Sequence, residues 1–344
     1  MKTVNKSSNE VKYRAIDLFS GIGGLRLGFE KAFMSDIEFV FSSEIYNRAI
    51  QVYEENFGET PEGDITSIPP DKIPDHDILM GGWPCQSFSI AGRQKGFDDP
   101  RGNLFFAISN ILKAKKPYAF LLENVPRLEG HDKGKTFETI MHILKDDLEY
   151  TVYYKVLNAR NFGVPQNRPR IFIVGFKEPI EFKFPQPTKT EPKLLQILEK
   201  EVPTKYYISK KYLNGLKGHR LRHESKKNGF GYIVLNPEGV ANALVIGGMG
   251  LERNLIKTPK SPKKYEEIQR IKGRIPNREG IRKLTPLECK RLMGFPESFK
   301  ITIQDASAYR VLAESVVVPV ITKIAKNIRV ALEKKESMGL TKWT

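Results

Sequence analysis

Over the first half of the chain, short unbroken apolar runs alternate with stretches in which apolar residues recur at helical spacing. The first run, YRAIDLF (13–19), ends on the turn Ser20-Gly21-Ile22-Gly23-Gly24, and LRLGFEKAF after it has a helical pattern. IEFVFSS (37–43) reads as a second strand ending at Glu44, with YNRAIQVYEENF as the helix that follows. A short segment around Gly63-Asp64-Ile65 precedes a third buried strand, DILM (77–80), which runs into Gly81-Gly82-Trp83-Pro84-Cys85. A helix over about 104–114 leads to AFLLEN (119–124). Residues 151–157 and 171–176 read as two further strands around a loop that holds Gln166-Asn167-Arg168-Pro169-Arg170. Strands and helices in alternation predict an α/β layer on a mostly parallel sheet.

From about 178 the alternation stops, and Pro, Lys and short apolar stretches take over. EFKFPQPTKTEP (181–192) marks the change. We expect a first domain of residues 11–184 plus 301–335 and a second of 185–300. Residues 305–335 are expected to be a loop and one long helix packed back on the first domain. A length of 344 residues agrees with this, at roughly 150 residues per domain. No internal repeat is visible, and low-complexity sequence is limited to short pieces such as KTPKSPKK (257–264).

Charge separates the two parts further. The chain carries 56 Lys+Arg against 40 Asp+Glu, and residues 181–300 hold 26 of the basic residues with 12 Glu and no Asp. Nearly all of the net +16 therefore lies on one third of the chain. Solubility does not require such segregation, whereas a polyanion partner does, and nucleic acid fits better than a membrane surface because no amphipathic basic helix stands out. No run of about 18 apolar residues predicts a transmembrane helix. The opening MKTVNKSSNEVKYR lacks the apolar core of a secretory signal. Cys85 and Cys289 are the only cysteines, so a disulfide scaffold is excluded and a cytoplasmic setting is expected. Two Cys and five scattered His give no zinc-ligand spacing, and no metal is expected.

Four places could carry chemistry. The glycine turn after the first strand lets a ligand approach the backbone, and the next helix start offers free N–H groups. Glu44, 20 residues beyond Gly24 at the next strand end, stands where a carboxylate binds ribose hydroxyls, and Asp64 could meet an adenine edge. Tight-turn glycines beside two surface acids are the plainer reading, but three features at successive strand ends favour an adenosine-containing ligand. Pro84-Cys85-Gln86 follows a buried strand at its carboxyl end. Cys85 could be a buried apolar residue or a hydrolase nucleophile, yet no His is placed to serve it as base. Glu123, at the end of AFLLEN, could share a pocket with Cys85 as acid and nucleophile. Arg168 and Arg170 suit phosphate or carbonyl recognition, with a surface salt bridge as the default for either. Cys289, in ECKRLMGF, is the better candidate for a core cysteine.

In order along the chain, DLFSGIGGLRLGFE (17–30), Glu44, GDI (63–65), GGWPCQSFSIAGRQKGFDDPRGNLF (81–105), ENV (123–125), QNRPRIFIVGF (166–176), LTPLECKRLMGFP (284–296) and SVVVPV (315–320) resemble the DNA (cytosine-5)-methyltransferase family of bacterial restriction–modification systems. The resemblance runs from 17 to 320 and is highly specific. It implies a Rossmann-like S-adenosylmethionine-dependent methyltransferase domain with a smaller, basic target-recognition domain. It assigns Phe19, Gly21, Gly23 and Gly24 to the cofactor loop, Glu44 to the ribose, Asp64 and Ile65 to the adenine, and Ile45 to the same cofactor site. Pro84, Leu104, Glu314 and Ser315 complete that site. It implies that the Cys85 thiolate adds to C6 of a flipped-out cytosine, that Glu123 holds N3, and that Arg170 binds O2. Arg168 would sit on a phosphate or the closing loop. Residues 86–101 would form that loop, with Gln86, Ser87, Ser89 and Arg93 toward DNA, joined by Gln166. Arg220, Arg222 and Arg253 of the basic segment would meet base edges or, more safely, phosphates. Double-stranded DNA is the implied partner, a short site of about four to six base pairs the implied target. The protein is expected to act as a monomer, with no membrane contact, and a cognate endonuclease follows from family habit.

Two positions depart from the family pattern. Ala313-Glu314-Ser315-Val316 stands where Gly-Asn-Ser-Val is usual, placing a carboxylate beside the expected cofactor site, and Ala243-Leu244 replaces Thr-Leu in the recognition region. Glu314 keeps open a non-catalytic DNA-binding member of the family. The tRNA-methylating branch is the other alternative, but its Cys-Phe-Thr tripeptide is absent.

Overall fold

The structure, a computed structural model, describes residues 11–83, 104–225, 231–246, 251–258, 262–273 and 275–337. The chain divides into two compact units. The first takes the residues up to Leu157, Pro169–Gln186 and those from Val318 on; the second takes Asn158–Arg168 and Pro187–Val317.

The first unit is built on β1 (Tyr13–Leu18), β2 (Ile37–Ser43), β3 (Ile78–Gly82), β4 (Ala119–Asn124), β5 (Thr151–Asn158) and β6 (Pro169–Phe176). They form one sheet in the order β2-β1-β3-β4-β6-β5. β1 pairs in parallel with β2 and β3, and β3 with β4. β6 runs antiparallel to β4, with Glu123 opposite Phe172 and Asn124 opposite Ile171. Every residue of β4 is buried, as is all of β3 up to Gly81. That is why both read as unbroken apolar runs rather than alternating ones. The helices are α1 (Gly24–Phe33), α2 (Asn47–Phe57), α3 (Leu104–Lys115), α4 (Lys135–His142) and α9 (Val318–Ser337). Phe105, Ile108, Ile111 and Leu112 of α3 pack with Ile16, Leu79, Phe120 and Leu122 of the sheet in one core.

α9 lies against α1. A Cβ on Gly28 would fall 2.4 Å from Ile321 Cγ2, so the contact needs glycine on α1. Arg329 of α9 donates to the carbonyls of Ala32 and Phe33, at 3.2 and 3.0 Å, and pairs with Asp36. These bonds satisfy the open carbonyls at the end of α1.

The second unit has short elements. Its strands are β7 (Val234–Leu235), β8 (Leu255–Lys257) and β9 (Ile281–Lys283), with β8 in the middle, parallel to β7 and antiparallel to β9. Gln166–Asn167 pairs separately with Ala241–Asn242. Helices α5 (Lys210–Glu224), α6 (Lys263–Ile271), α7 (Pro286–Leu292) and α8 (Asp305–Glu314) complete it. A small core joins Ile208, Leu213, Leu216, Leu255 and Ile281. Behind it, Arg282 and Glu288, both fully buried, make two bonds of 2.8 Å. Glu288 also accepts from the backbone N–H of Thr285 and of Glu199, each at 2.9 Å.

Three expectations need correction. The chain enters the second unit at 158–168, ahead of the composition change, because Gln166–Asn167 pairs with Ala241–Asn242. Residues 301–317 belong to the second unit, where α8 packs on α7. Residues 305–335 form two helices, not one: Ser315 is extended, and Pro319, which has no N–H to donate, fits only the first turn of a new helix. Among the described residues, no helix is long and apolar enough to cross a membrane, and no His/Cys/Asp/Glu group could hold a metal ion.

Candidate active site

The carboxyl ends of β1 to β4 bring most of the expected cofactor residues of the first unit together. Phe19 and Gly21 both have φ of 55°, and Gly23 has 79°. For a bulky residue such as Phe19 that conformation is rare, and it marks a loop held by its surroundings. Ser20 N–H donates to the Ser43 carbonyl at 2.9 Å, and Gly23 N–H to the Ser20 carbonyl at 2.8 Å. A Cβ on Gly23 would fall 2.2 Å from the Phe57 ring, whereas one on Gly21 would meet nothing within 4 Å. The loop is therefore backed by α2 and open over Gly21.

Glu44 closes this arrangement. One carboxylate oxygen accepts from Gly21 N–H at 2.8 Å, and the other from the N–H groups of Ile45 and Tyr46, each at 2.8 Å. The carboxylate is thus fixed by the glycine loop itself. Beside it, Ile45 is 71% exposed, an apolar side chain turned to solvent next to an anion. Asp64 is exposed and accepts from the Thr66 N–H and hydroxyl at 2.9 and 2.7 Å. Ile65, by contrast, is buried in the core, which leaves only its backbone for a ligand, and Leu104 packs against the same core.

The expected acid–base group sits two strands further along. Gly82 and Glu123 are paired across β3 and β4. Glu123 Oε2 lies 3.3 Å from where a Cβ on Gly82 would stand, so a larger residue there would press on the carboxylate. Arg170, from β6, places Nε 3.0 Å from Glu123 Oε1 in a largely buried pair. Asn124 donates to the Trp83 carbonyl at 3.0 Å and tethers the end of β3 to β4. Pro84, Cys85, Gln86, Ser87, Ser89 and Arg93 lie outside the described residues.

Two expected contacts to DNA are corrected. Arg168 is 3% exposed, and its guanidinium donates to the carbonyls of Leu244 (2.9 Å), Ala313 (2.7 Å) and Ser315 (2.8 Å). Gln166 is fully buried; its amide donates to the Leu292 carbonyl at 2.9 Å and accepts from Leu244 N–H at 3.1 Å. Both face the interior of the second unit, so neither reaches a phosphate or a base. Arg170, of the three long side chains in Gln166–Arg170, is the one that pairs with Glu123.

On α5, Arg222 is exposed, and Arg220 pairs with Glu224 at 2.6 Å. Arg253 is half-buried, and its carbonyl accepts from Asn242. Glu314 pairs with Arg310, one turn back on α8, at 3.2 Å. Ser315 is buried, with its carbonyl held by Arg168. Cys289 is a buried core thiol, as expected, and burial pushes its pKa well up.

Three residues with no role expected from the sequence shape the site. Phe57 backs the glycine loop, and Asn124 tethers Trp83. Asp17, fully buried at the end of β1, has its pKa raised by burial to about 8, with the Arg26 backbone N–H and guanidinium offsetting part of the rise. Arg26 itself bonds Glu59, Glu30 and Tyr53 and lies 4.4 Å from the centre of the Phe57 ring. A charged residue inside an apolar run was the only available signal for Asp17.

Comparison with known proteins gives the same picture. The profile of the C-5 cytosine-specific DNA methylase family matches residues 13–330. The Type II methyltransferase M.HpaII of Haemophilus parainfluenzae is 47% identical over 327 residues, which cover 92% of this chain and 89% of that protein. M.NlaX of Neisseria lactamica is 47% identical over 322 residues, 93% and 97% of the two chains. Among solved structures, the Entamoeba histolytica methyltransferase EhMeth superposes with a TM-score of 0.74 at 22% identity, covering 94% of this chain and 99% of that one. This likeness supports the Rossmann-like α/β fold. The chain belongs to the C-5 cytosine-specific DNA methylase family and is a DNA cytosine-5 methyltransferase.

Proposed function

We propose that the enzyme methylates C5 of a flipped-out cytosine within a short specific site in double-stranded DNA, using S-adenosylmethionine and a covalent bond between Cys85 and C6. The observation that carries this reading is the Glu123–Arg170 pair at the end of β4, beside the strand that leads into Pro84-Cys85.

The first unit fits the cofactor. Glu44, already oriented by three backbone N–H groups, would take the two ribose hydroxyls, while exposed Ile45 offers an apolar face to the adenine and Asp64 a carboxylate to its edge. The open backbone at Gly21 admits the rest of the molecule. S-Adenosylmethionine supplies an electrophilic methyl group on a sulfonium centre.

The chain's own residues do the remainder. Cytosine C5 is a poor nucleophile until the Cys85 thiolate adds at C6 and makes it enamine-like. Glu123 holds the proton at N3 and relieves the charge that addition creates, and Arg170 orients Glu123 while binding O2. After methylation the C5 proton passes to water, its bonding pair re-forms the C5–C6 double bond, and the C6–S pair leaves with sulfur, so that Cys85 is freed as a thiolate. A stacked base is out of reach, so flipping is required, at a cost on the order of a few kcal/mol. The basic second unit reads the DNA, with Arg220, Arg222 and Arg253 toward phosphates. The enzyme acts as a monomer, and the Type II names of its relatives point to a restriction–modification system with a cognate endonuclease.

The test is a covalent trap. Wild-type protein, S-adenosylmethionine and duplex DNA with 5-fluorocytosine in place of cytosine are mixed and run on a denaturing gel. Fluorine blocks the last elimination, so a cofactor-dependent shifted band should form and be absent with Cys85→Ala. Tight DNA binding with no band from the wild type would overturn the reading.

A further inference from the structure

Arg26 stands near the start of α1, just past the glycine loop, and the proposed reaction does not use it. It is buried, and all three nitrogens of its guanidinium are bonded. Nε donates to Glu30 at 2.8 Å, Nη1 to Glu59 at 2.6 Å and to the Tyr53 hydroxyl at 3.0 Å, and Nη2 to Glu59 at 3.1 Å. The guanidinium carbon lies 4.4 Å from the centre of the Phe57 ring. Both Phe57 and Glu59 lead to expected cofactor residues. Phe57 closes α2, and its ring fills the space behind Gly23, where a Cβ would fall 2.2 Å from it. Glu59 follows Gly58, which is left-handed, and opens the segment that carries Glu62 and Asp64. Glu62 N–H donates to the Ser42 carbonyl, and Glu44 N–H to the Glu62 carbonyl, each at 2.8 Å. One guanidinium thus grips the wall behind the glycine loop and the start of the segment that backs Glu44.

We infer that Arg26 is a positioning residue for the cofactor, holding the glycine loop and Glu44 in register from behind through Phe57 and Glu59. The inference rests on the proposed function, which gives the glycine loop, Glu44 and Asp64 to S-adenosylmethionine. The physical basis is the planar guanidinium, which stacks on a ring with its face while its edge makes two parallel bonds to one carboxylate. A lysine would offer one flexible ammonium and could not do both. The Glu30 and Glu59 side chains are 33% and 48% exposed, so both can turn to water when the fork is lost. The fold then keeps no buried orphan charge. What is lost is alignment: the bond from Gly21 N–H to Glu44 no longer presets the carboxylate.

The test is a split between kinetic constants. Steady-state rates are measured for the full-length protein, varying in turn S-adenosylmethionine and a duplex that the wild type methylates. Arg26→Lys should raise the KM for S-adenosylmethionine by about tenfold or more, the scale of a lost bond to a charged group. The KM for DNA and kcat should stay within about twofold of wild type. Phe57→Leu should move the same constant in the same direction by a smaller factor. Arg329→Met, at the far end of α1, is the control for lost stability: it should lower the melting temperature and move neither KM. Melting curves accompany each variant, and Phe57→Leu carries the test if Arg26→Lys does not fold. A wild-type KM for S-adenosylmethionine in Arg26→Lys overturns the proposal. So does a parallel rise in both KM values, or a rise that Arg329→Met matches at the same loss of melting temperature, since each is a purely structural effect. A wild type that methylates no duplex and binds no S-adenosylhomocysteine instead overturns the functional reading beneath it.

Discussion

The two units are held together by different means. In the first, apolar strands and helices bury one another in layers, and the candidate functional groups Glu44 and Glu123 sit on the rim where the strands end. In the second, the strands are two or three residues long, and buried polar side chains do much of the fixing: Arg168 and Gln166 on one side, Arg282 and Glu288 on the other. Layered packing tolerates local change because many contacts share the load. A staple made of one guanidinium does not, since its loss strands several buried partners at once.

The sharpest way to break this contrast is Arg282→Met. It leaves the Glu288 carboxylate buried and unpaired, and a loss of about 3–5 kcal/mol in urea unfolding is expected, partly recovered in Arg282→Met/Glu288→Leu. A loss below about 1 kcal/mol, the scale of an exposed pair, would mean that the second unit does not depend on its staples.

On the rim of the first unit, Glu44→Gln should leave the fold intact and raise the KM for S-adenosylmethionine by on the order of 10- to 100-fold, the scale of bonds to a charged group. The KM for DNA should stay near the wild-type value. An equal rise in both would place Glu44 in the scaffold.

Asp17 tests the inner side of the same rim through pH. The folded chain holds the Asp17 proton up to about pH 8, whereas an unfolded aspartate releases it near 3.8. The folded state therefore binds more protons across that window, and stability falls as pH rises through it, by at most about 1.4 kcal/mol per pH unit. Asp17→Asn has no such proton to lose, so it should gain on the wild type from about pH 4 to about 8 and no further above. A difference that stays constant with pH would show Asp17 ionised in the fold.

The smallest effect belongs to Glu314. Its pair with Arg310 is about half exposed, so Glu314→Asn should change stability by less than about 0.5 kcal/mol. Its effect on the KM for S-adenosylmethionine should be far smaller than that of Glu44→Gln. A large gain in cofactor affinity would revive the disabled-enzyme alternative.

These contrasts also explain what could be read from the sequence. β1 to β4 and the glycine loop were legible because unbroken apolar runs ending in small residues have few other solutions in an α/β layer. Glu44 and Glu123 were legible because they close such runs. The insides of the second unit were not. Nothing in the spacing of Gln166, Arg168 and Leu244 says that bonds will span 76 residues, or that Arg168 will reach Ser315 147 residues on. An arginine in a polar loop reads as a surface cation, and only the fold reveals its buried carbonyl partners. The break at Ser315–Val317 was legible in principle from Pro319, which marks a helix start as readily as a helix interior under strain.

The seat of α1 on α9 has a consequence for how the protein is made. α1 begins at Gly24, but the helix that covers Gly28 and caps its last carbonyls begins at Val318. At translation speeds of roughly 5–20 residues per second, α1 leaves the ribosome about 15–60 s before its partner exists. During that interval the apolar face of α1 has no permanent cover. The nascent chain therefore depends on chaperones, or on transient contacts of its own, until α9 is synthesised.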